Sequence, residues 1–422
     1  MIKIKKIDEI DLKQKYNETQ DDRLTKDVAI IIADVRENGD KALRDYTARF
    51  DGVVIDTLKV SDSEIDEAIH SVEKDFLSIL ERAADNIHKF HEKQIKDDLV
   101  VFEESGKILG QKYTPIEKVG LYVPGGTAVY PSTVLMTAIP AKIAGCTTIS
   151  IVSPPDKDGK ISPTILAAAK ISGVDRIYKV GGAQAIAALA YGTESIERVY
   201  KIVGPGNRYV AEAKRQVSSV AGIDMIAGPS EILIIADADA NPDFIAIDLL
   251  SQAEHDVFAR SILLTTDELL AQKVQNKIER KLPHLKRKEI ARQSIDEQGL
   301  IIICENKEQM FDLSNEIAPE HLELMTANPV SDLSWVKNAG SVFLGDYTPE
   351  ASGDYYSGTN HTLPTSGTAK FSNPLSVDDF MKKTQFSFYT KEALENDADD
   401  IIRFAEEEGL TAHAQSVKER IK

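Results

Sequence analysis

From about residue 119 the chain alternates short β-branched runs with alanine-rich helical ones: "VGLYVPGG", "STVLMTAIPAKIAG", "TTISIVSPP", "SPTILAAAKISG", "RIYKVGG", "AQAIAALAYG", "RVYKIVGPG" and "NRYVAEAKRQVSS". That βαβα rhythm predicts a parallel sheet covered by helices. A further strand, "EILIIAD", and the helix "NPDFIAIDLLSQAEHD" place the start of a second α/β unit near 230, with "SILLTT", "GLIIICEN" and "SVFLGD" as later strands. Residues 1–100 are charged, with apolar positions recurring every three or four residues, a helical pattern. His70, His88 and His91 read there as solvated positions on helix faces. The last fifty residues return to charged helix, and "LPHLKRKEI" reads as a surface connection with an exposed His284.

At 422 residues the chain has room for about two or three domains. A net charge of −18 argues against a nucleic-acid partner, which needs a basic face. The stretch "MIKIKKIDEIDLKQK" lacks the continuous apolar core of a secretory signal. No run approaches the roughly 20 apolar residues of a membrane span. Cys146 and Cys304 both sit in apolar segments, where a free cysteine is a small core residue. A reducing, cytoplasmic setting fits.

Three strand-to-helix turns carry glycines: "VPGGTA", "VGGAQA" and "VGPGNR". Such turns let a ligand approach the backbone and offer helix N-terminal N–H groups to an anion. None is the G-x-G-x-x-G fingerprint, so dinucleotide binding and plain tight turns both remain open. Gln184 and Asn207, polar side chains at helix mouths, favour a ligand.

The helix "NPDFIAIDLLSQAEHD" starts on Asn241 as N-cap with Pro242 at the first helical position. Gln252 and His255, three residues apart, share a face below Ile245, Leu249 and Leu250. They are either hydrogen-bonded core residues or ligands for a metal or substrate. "APEHLEL" sets Glu320 beside His321, where an acid and a base could share one cleft edge. Residues 350–372, "EASGDYYSGTNHTLPTSGTAKFS", are rich in Gly, Ser and Thr and contain Asp354 and His361; they read as a site-wrapping or an ordered surface loop. "EEEGLTAHAQSVK" holds Glu408 and His413.

Taken in order, "GLYVPGG", "GGAQAIAALAYGT", "VGPGN", "IDMIAGPSE", "SQAEHD", "APEHLE", "SGDYYSGTNHTLPT" and "LTAH" resemble the histidinol dehydrogenases from about residue 20 to the C-terminus. The resemblance implies a zinc-containing, NAD-dependent homodimer. Its reaction carries L-histidinol through L-histidinal to L-histidine, reducing two NAD. It implies zinc ligands at Gln252, His255, Asp354 and the partner subunit's His413, one zinc per subunit. Glu254 receives no ligand role. Substrate contacts are expected at Ser230, Gln252, His255, Glu320, Asp354, Glu408 and His413, and NAD contacts at Tyr122, Gln184 and Asn207. The implied fold is two Rossmann-like α/β units of aldehyde-dehydrogenase-like architecture in an intertwined homodimer. Its parts are a segment 1–20, a first domain from 21–121 and 231–375, an NAD-binding domain 122–230, and a dimerisation segment 376–422.

Removing two hydrides from a primary alcohol needs a base for the alcohol proton and an activated water for the aldehyde. His321, of a type that titrates near neutral pH, is the expected base, and Glu320 the expected water activator. Zinc would orient the substrate by its amino and imidazole nitrogens. Three other readings compete. Cys146 or Cys304 could form a thiohemiacetal, but both lie outside every polar cluster. A zinc hydrolase could use Glu320 to activate water, against the glycine turns. A metal-stabilised binding protein would leave the Glu320–His321 pair unexplained.

Overall fold

Every side chain of Glu231–Ala236 is buried, so this run of isoleucine, leucine and alanine must be covered on both faces. In the computed structural model, which describes residues 1–10, 22–125, 129–226 and 228–422, it lies inside a six-stranded parallel sheet. The strand order is Lys3–Lys6, Leu300–Ile303, Arg260–Thr265, Glu231–Ala236, His321–Met325 and Ser341–Leu344. Two cores sandwich the sheet. One gathers Ile234, Leu249, Leu250 and Leu263, the other Leu233, Ile235, Phe311 and Leu324.

The earlier βαβα run builds a second parallel sheet in the order Arg176–Lys179, Thr148–Ser153, Lys118–Tyr122, Lys201–Val203 and Gly222–Ile223. Helix Asp22–Phe50 shares the core of this sheet: its stripe of Val28, Ile31, Ile32, Val35 and Leu43 meets Ile186, Leu189 and Val217. Helix–turn–strand units feed both sheets, as the alternation predicts.

Both sheets belong to one compact unit, Met1–Gln94 with Glu117–Phe380; Ile95–Ile116 and Met381–Lys422 form a second. The second unit holds an antiparallel sheet ordered Met381–Tyr389, Lys107–Pro115 and Leu99–Glu103, with helices Lys391–Glu407 and Thr411–Lys418.

Four sequence readings need correction. Residues 381–389 are a strand rather than part of a C-terminal helix; "MKKTQFSFY" is β-branched and aromatic enough to pair along its full length with 107–115. The opening residues 3–6 add a parallel edge strand. "HLELM", read only for its acid and base, is a buried strand next to 231–236. His91 is fully buried rather than solvated, since it ends the apolar stripe Leu80, Ala84 and Ile87 of helix Lys74–His91. The other two histidines of that region, and His284, are exposed as expected.

Candidate active site

Helix Pro242–Ala253 begins as its sequence predicts. The Asn241 side chain accepts from the Asp243 N–H at 2.9 Å, and Pro242 occupies the first turn. It ends at Ala253, so Gln252 lies in the last turn while His255 follows in a turn beyond the cap. The shared helix face expected for the pair is therefore absent, yet both line one cavity of about 250 Å³. Around it also stand Ser230, Glu320, His321 and Asp354, with Asn207 on the opposite wall.

Glu320 and His321 open the strand His321–Met325. The Glu320 Oε2 accepts from the Glu231 N–H at 2.9 Å. His321 Nδ1 lies 3.0 Å from the Glu231 carbonyl oxygen, so the proton of a neutral imidazole sits on Nδ1. Its Nε2 is buried without a hydrogen-bond partner among the described residues, 3.8 Å from Glu350 Oε1 and 3.7 Å from Asp354 Oδ1. With its carboxamide turned so that nitrogen meets acceptors, Gln252 donates to both Glu350 oxygens at 2.9 and 3.1 Å and accepts from the Glu231 N–H at 3.2 Å.

Electrostatics here are dominated by carboxyls taken out of water. Burial pushes Glu320 up to about 8 and Glu350 up to about 7. Burial opposes the His321 imidazolium, but Glu320, Glu350 and Asp354 outweigh it and push its pKa up to about 10. Asp354 is also buried, yet the His321 imidazole close to it, with His361 and His255, holds it below its ordinary value. Burial lowers His255 and His361. The cluster is short of positive charge, which a bound cation would supply. Ligand atoms of His321, Glu350 and Asp354 all fall within 4.8 Å of one another. Of the four expected zinc ligands this trio contains only Asp354; Gln252 and His255 line the same cavity, while His413 lies exposed on helix Thr411–Lys418 of the second unit. Glu408, at the end of helix Lys391–Glu407, is likewise exposed there. The oxygen and nitrogen donors around the orphaned Nε2 fit zinc.

On the other wall, Pro205, Gly206 and Asn207 lead into helix Arg208–Val217. Asn207 is its N-cap, accepting from the N–H groups of Tyr209 and Val210 at 3.0 and 3.2 Å. Tyr122 and Gln184 are buried and do not line the cavity. The Tyr122 hydroxyl accepts from the Gly182 N–H at 3.1 Å, and the Gln184 Oε1 has no hydrogen-bond partner among the described residues. Residues 126–128 of the "VPGGTA" turn lie outside the described residues.

Sequence reasoning missed Glu350. Its spacing of four from Asp354 in helix Glu350–Tyr355 puts both carboxyls on one face, which was the available signal. His361, noticed without a role, also lines the cavity; its Nδ1 is 3.1 Å from the Asp354 carbonyl oxygen and its Nε2 3.3 Å from Thr133 Oγ1. Cys146 and Cys304 are buried and free, and burial pushes their thiols up to about 12 and about 11.

Two parallel sheets meeting at a cavity with an adjacent acid and base define an α/β enzyme. The histidinol dehydrogenase family model matches residues 14–421, and the chain belongs to that family. It is 53% identical to the histidinol dehydrogenase of Clostridium acetobutylicum over 94% of this chain and 93% of that one. It is also 53% identical to that of Listeria monocytogenes serovar 1/2a, over 97% and 96%. The solved histidinol dehydrogenase of Elizabethkingia anophelis superposes with a TM-score of 0.94 at 41% identity, covering 100% of this chain and 98% of the other.

Proposed function

We propose that this cavity carries out the family's oxidation of L-histidinol through L-histidinal to L-histidine, with His321 as base and Glu320 as water activator. The observation that carries the assignment is the unpartnered His321 Nε2 facing the cavity beside Glu320, Glu350 and Asp354. When bound, NAD supplies the hydride acceptor for both oxidations and zinc a Lewis-acidic anchor for the substrate's amino and imidazole nitrogens. Gln252, His255 and Asp354 would hold the zinc, together with the partner subunit's His413. In the first oxidation neutral His321 would take the alcohol O–H proton on Nε2 as the carbon loses hydride, and a bound cation would favour that neutral state by offsetting the carboxylates that raise its pKa. In the second, Glu320 takes a proton from water as the water oxygen bonds to the aldehyde carbon, and the resulting gem-diolate anion becomes the carboxylic acid as its carbon loses the second hydride. A carboxylate whose proton affinity burial has raised is a stronger base for that task. Ser230, at the cavity edge, would contact substrate, and so would Glu408 of the partner subunit. Asn207 would meet NAD directly, with Tyr122 and the unpartnered Gln184 behind it. Histidinol-dependent NAD reduction that a chelator abolishes and zinc restores is the expected result; turnover indifferent to metal would overturn the zinc assignment.

The homodimer reading is supported by the second unit. Its strand Leu99–Glu103 is exposed along its whole length, and Phe102 and Phe404 are 74% and 70% exposed. Apolar surface of that kind fits a face covered by a second copy. If each tail completes its partner's site, a heterodimer of one His255→Ala chain and one His413→Ala chain regains about half the wild-type activity per dimer, because one site inherits both defects and the other none. A doubly tagged heterodimer that stays inactive would overturn the crossing tail. No helix among the described residues is long and apolar enough to span a membrane. With both cysteines free, this fits a cytoplasmic enzyme.

A further inference from the structure

Gly204 begins the turn that forms the cavity wall at Pro205, Gly206 and Asn207. Its φ of +117° excludes ordinary side chains, and a Cβ there would stand 2.2 Å from the Tyr122 carbonyl oxygen. The residue is buried, so both its backbone polar groups need partners within the protein. One buried ion pair supplies both. The Asp224 carboxylate accepts from the Gly204 N–H at 2.8 Å through one oxygen and from the Lys214 ammonium through the other. Lys214 Nζ also donates to the Gly204 carbonyl at 3.0 Å. The two side chains are 2% and 1% exposed.

An ion pair so thoroughly desolvated is a poor source of stability, since the hydration lost by two charges offsets most of their attraction. What it does accomplish is directional. Lys214 reaches back from helix Arg208–Val217, and Asp224 follows strand Gly222–Ile223. Between them they lock the peptide groups on either side of a left-handed glycine. Met225, the neighbour of Asp224, lines the same cavity wall. The clamp therefore sets where the Pro205–Gly206–Asn207 backbone faces the cavity.

We propose that Lys214 and Asp224 are positioning residues for the dinucleotide. They preorganise the 204–207 turn, so that the cofactor meets a fixed wall and spends no binding energy ordering it. The inference rests on the reading that NAD contacts Asn207. Neither side chain lines the cavity, so both act through the turn alone.

The test uses Lys214→Met/Asp224→Asn in the full-length, zinc-loaded enzyme. This change removes both charges, keeps an acceptor for the Gly204 N–H and frees the carbonyl. The expected result is a rise of tenfold or more in the NADH dissociation constant and in KM for NAD, with KM for histidinol and kcat at saturating NAD within about twofold of wild type. A general packing defect would instead lower kcat and move both KM values together. Lys214→Gln/Asp224→Asn, which leaves no buried charge and keeps both a donor and an acceptor for Gly204, gives a milder version of the same split if the first double variant folds poorly. Asn207→Asp, still a competent N-cap, tests the underlying reading, because it removes the amide donor and adds a negative charge at the cofactor wall. Weaker NADH binding in Asn207→Asp with unchanged binding in the clamp variants would overturn the clamp and keep the cofactor placement. Unchanged binding in all of them would overturn both.

Discussion

The cavity's two walls are built from opposite ends of their parallel strands. On the five-stranded side it lies beyond the C-terminal ends of Lys118–Tyr122 and Lys201–Val203, lined by Pro124 and by residues 205–207 at the start of a helix. On the six-stranded side it lies at the N-terminal ends of Glu231–Ala236 and His321–Met325, lined by Ser230, Glu320 and His321, with Gln252 at the C-terminal end of its helix. Helix N-termini present free N–H groups and partial positive charge, and helix C-termini the reverse. Under the proposed function, the wall at the helix start would take the anionic cofactor and the other wall a cation with the nitrogen-bearing substrate. The difference teaches that a single cavity can serve both by facing reversed strand ends toward each other.

This contrast breaks most readily at the acid–base wall. His321→Asn should lower histidinol oxidation by about 100-fold or more, the scale of losing a general base, while NADH affinity stays at wild type. Stopped-flow turnover and NADH fluorescence titration measure the two walls separately. A large loss of NADH binding in this variant would mean that the walls are not independent.

Glu320→Gln sharpens the comparison within one wall. Gln keeps an acceptor for the Glu231 N–H but cannot take a proton from water. The aldehyde step should slow by at least about tenfold more than the alcohol step, since only the second oxidation consumes water. Histidinal and histidinol supplied separately to the mutant distinguish the steps. Equal losses would end the division of labour between Glu320 and His321.

The two walls were also unequally legible in the sequence. Glycine-bearing turns after β-rich runs marked the five-stranded side, because α/β ligands gather at C-terminal strand ends. On the six-stranded side that rule points to the wrong end. The strand His321–Met325 was hidden because it is only five positions long and carries His321 and Glu323 at buried positions. Glu350 was hidden because its helix is six residues long and its significance depends on His321, 29 positions earlier in the chain. Adjacent motif residues were legible; the long-range crowding of carboxyls on one imidazole was a product of the fold.

Beside helix Pro131–Ala144, His91 tests how the loop carrying His361 is held. Asn360 donates to His91 Nε2 at 3.1 Å and to the Met136 carbonyl oxygen at 2.7 Å. Burial, with His88 adding to it, lowers His91 to about 4, against about 6.5 in an unfolded chain. The unfolded state therefore takes up the proton first. Stability from the neutral imidazole is complete above about pH 6.5 and is lost as pH falls toward about 4. His91→Gln, which removes the titration, should flatten the fall in melting temperature between pH 7 and pH 5. An unchanged slope would assign the acid sensitivity elsewhere.

The smallest effect belongs to the thiols, one beside each sheet. Cys304 follows strand Leu300–Ile303 in a core with Phe311 and Leu313, and Cys146 precedes strand Thr148–Ser153. Neither lines the cavity, and each thiol is held protonated by burial, so neither can supply the thiolate that a thiohemiacetal needs. Cys146→Ala and Cys304→Ala, singly or together, should retain most turnover on both histidinol and histidinal while losing about 1 kcal/mol of stability each through the vacated volume. The comparison predicts the same result for either sheet, because both walls work through nitrogen, oxygen and backbone groups. A folded double mutant that binds NADH yet cannot oxidise histidinal would show that one wall does use sulfur, and Glu320 would lose its role in hydrating the aldehyde.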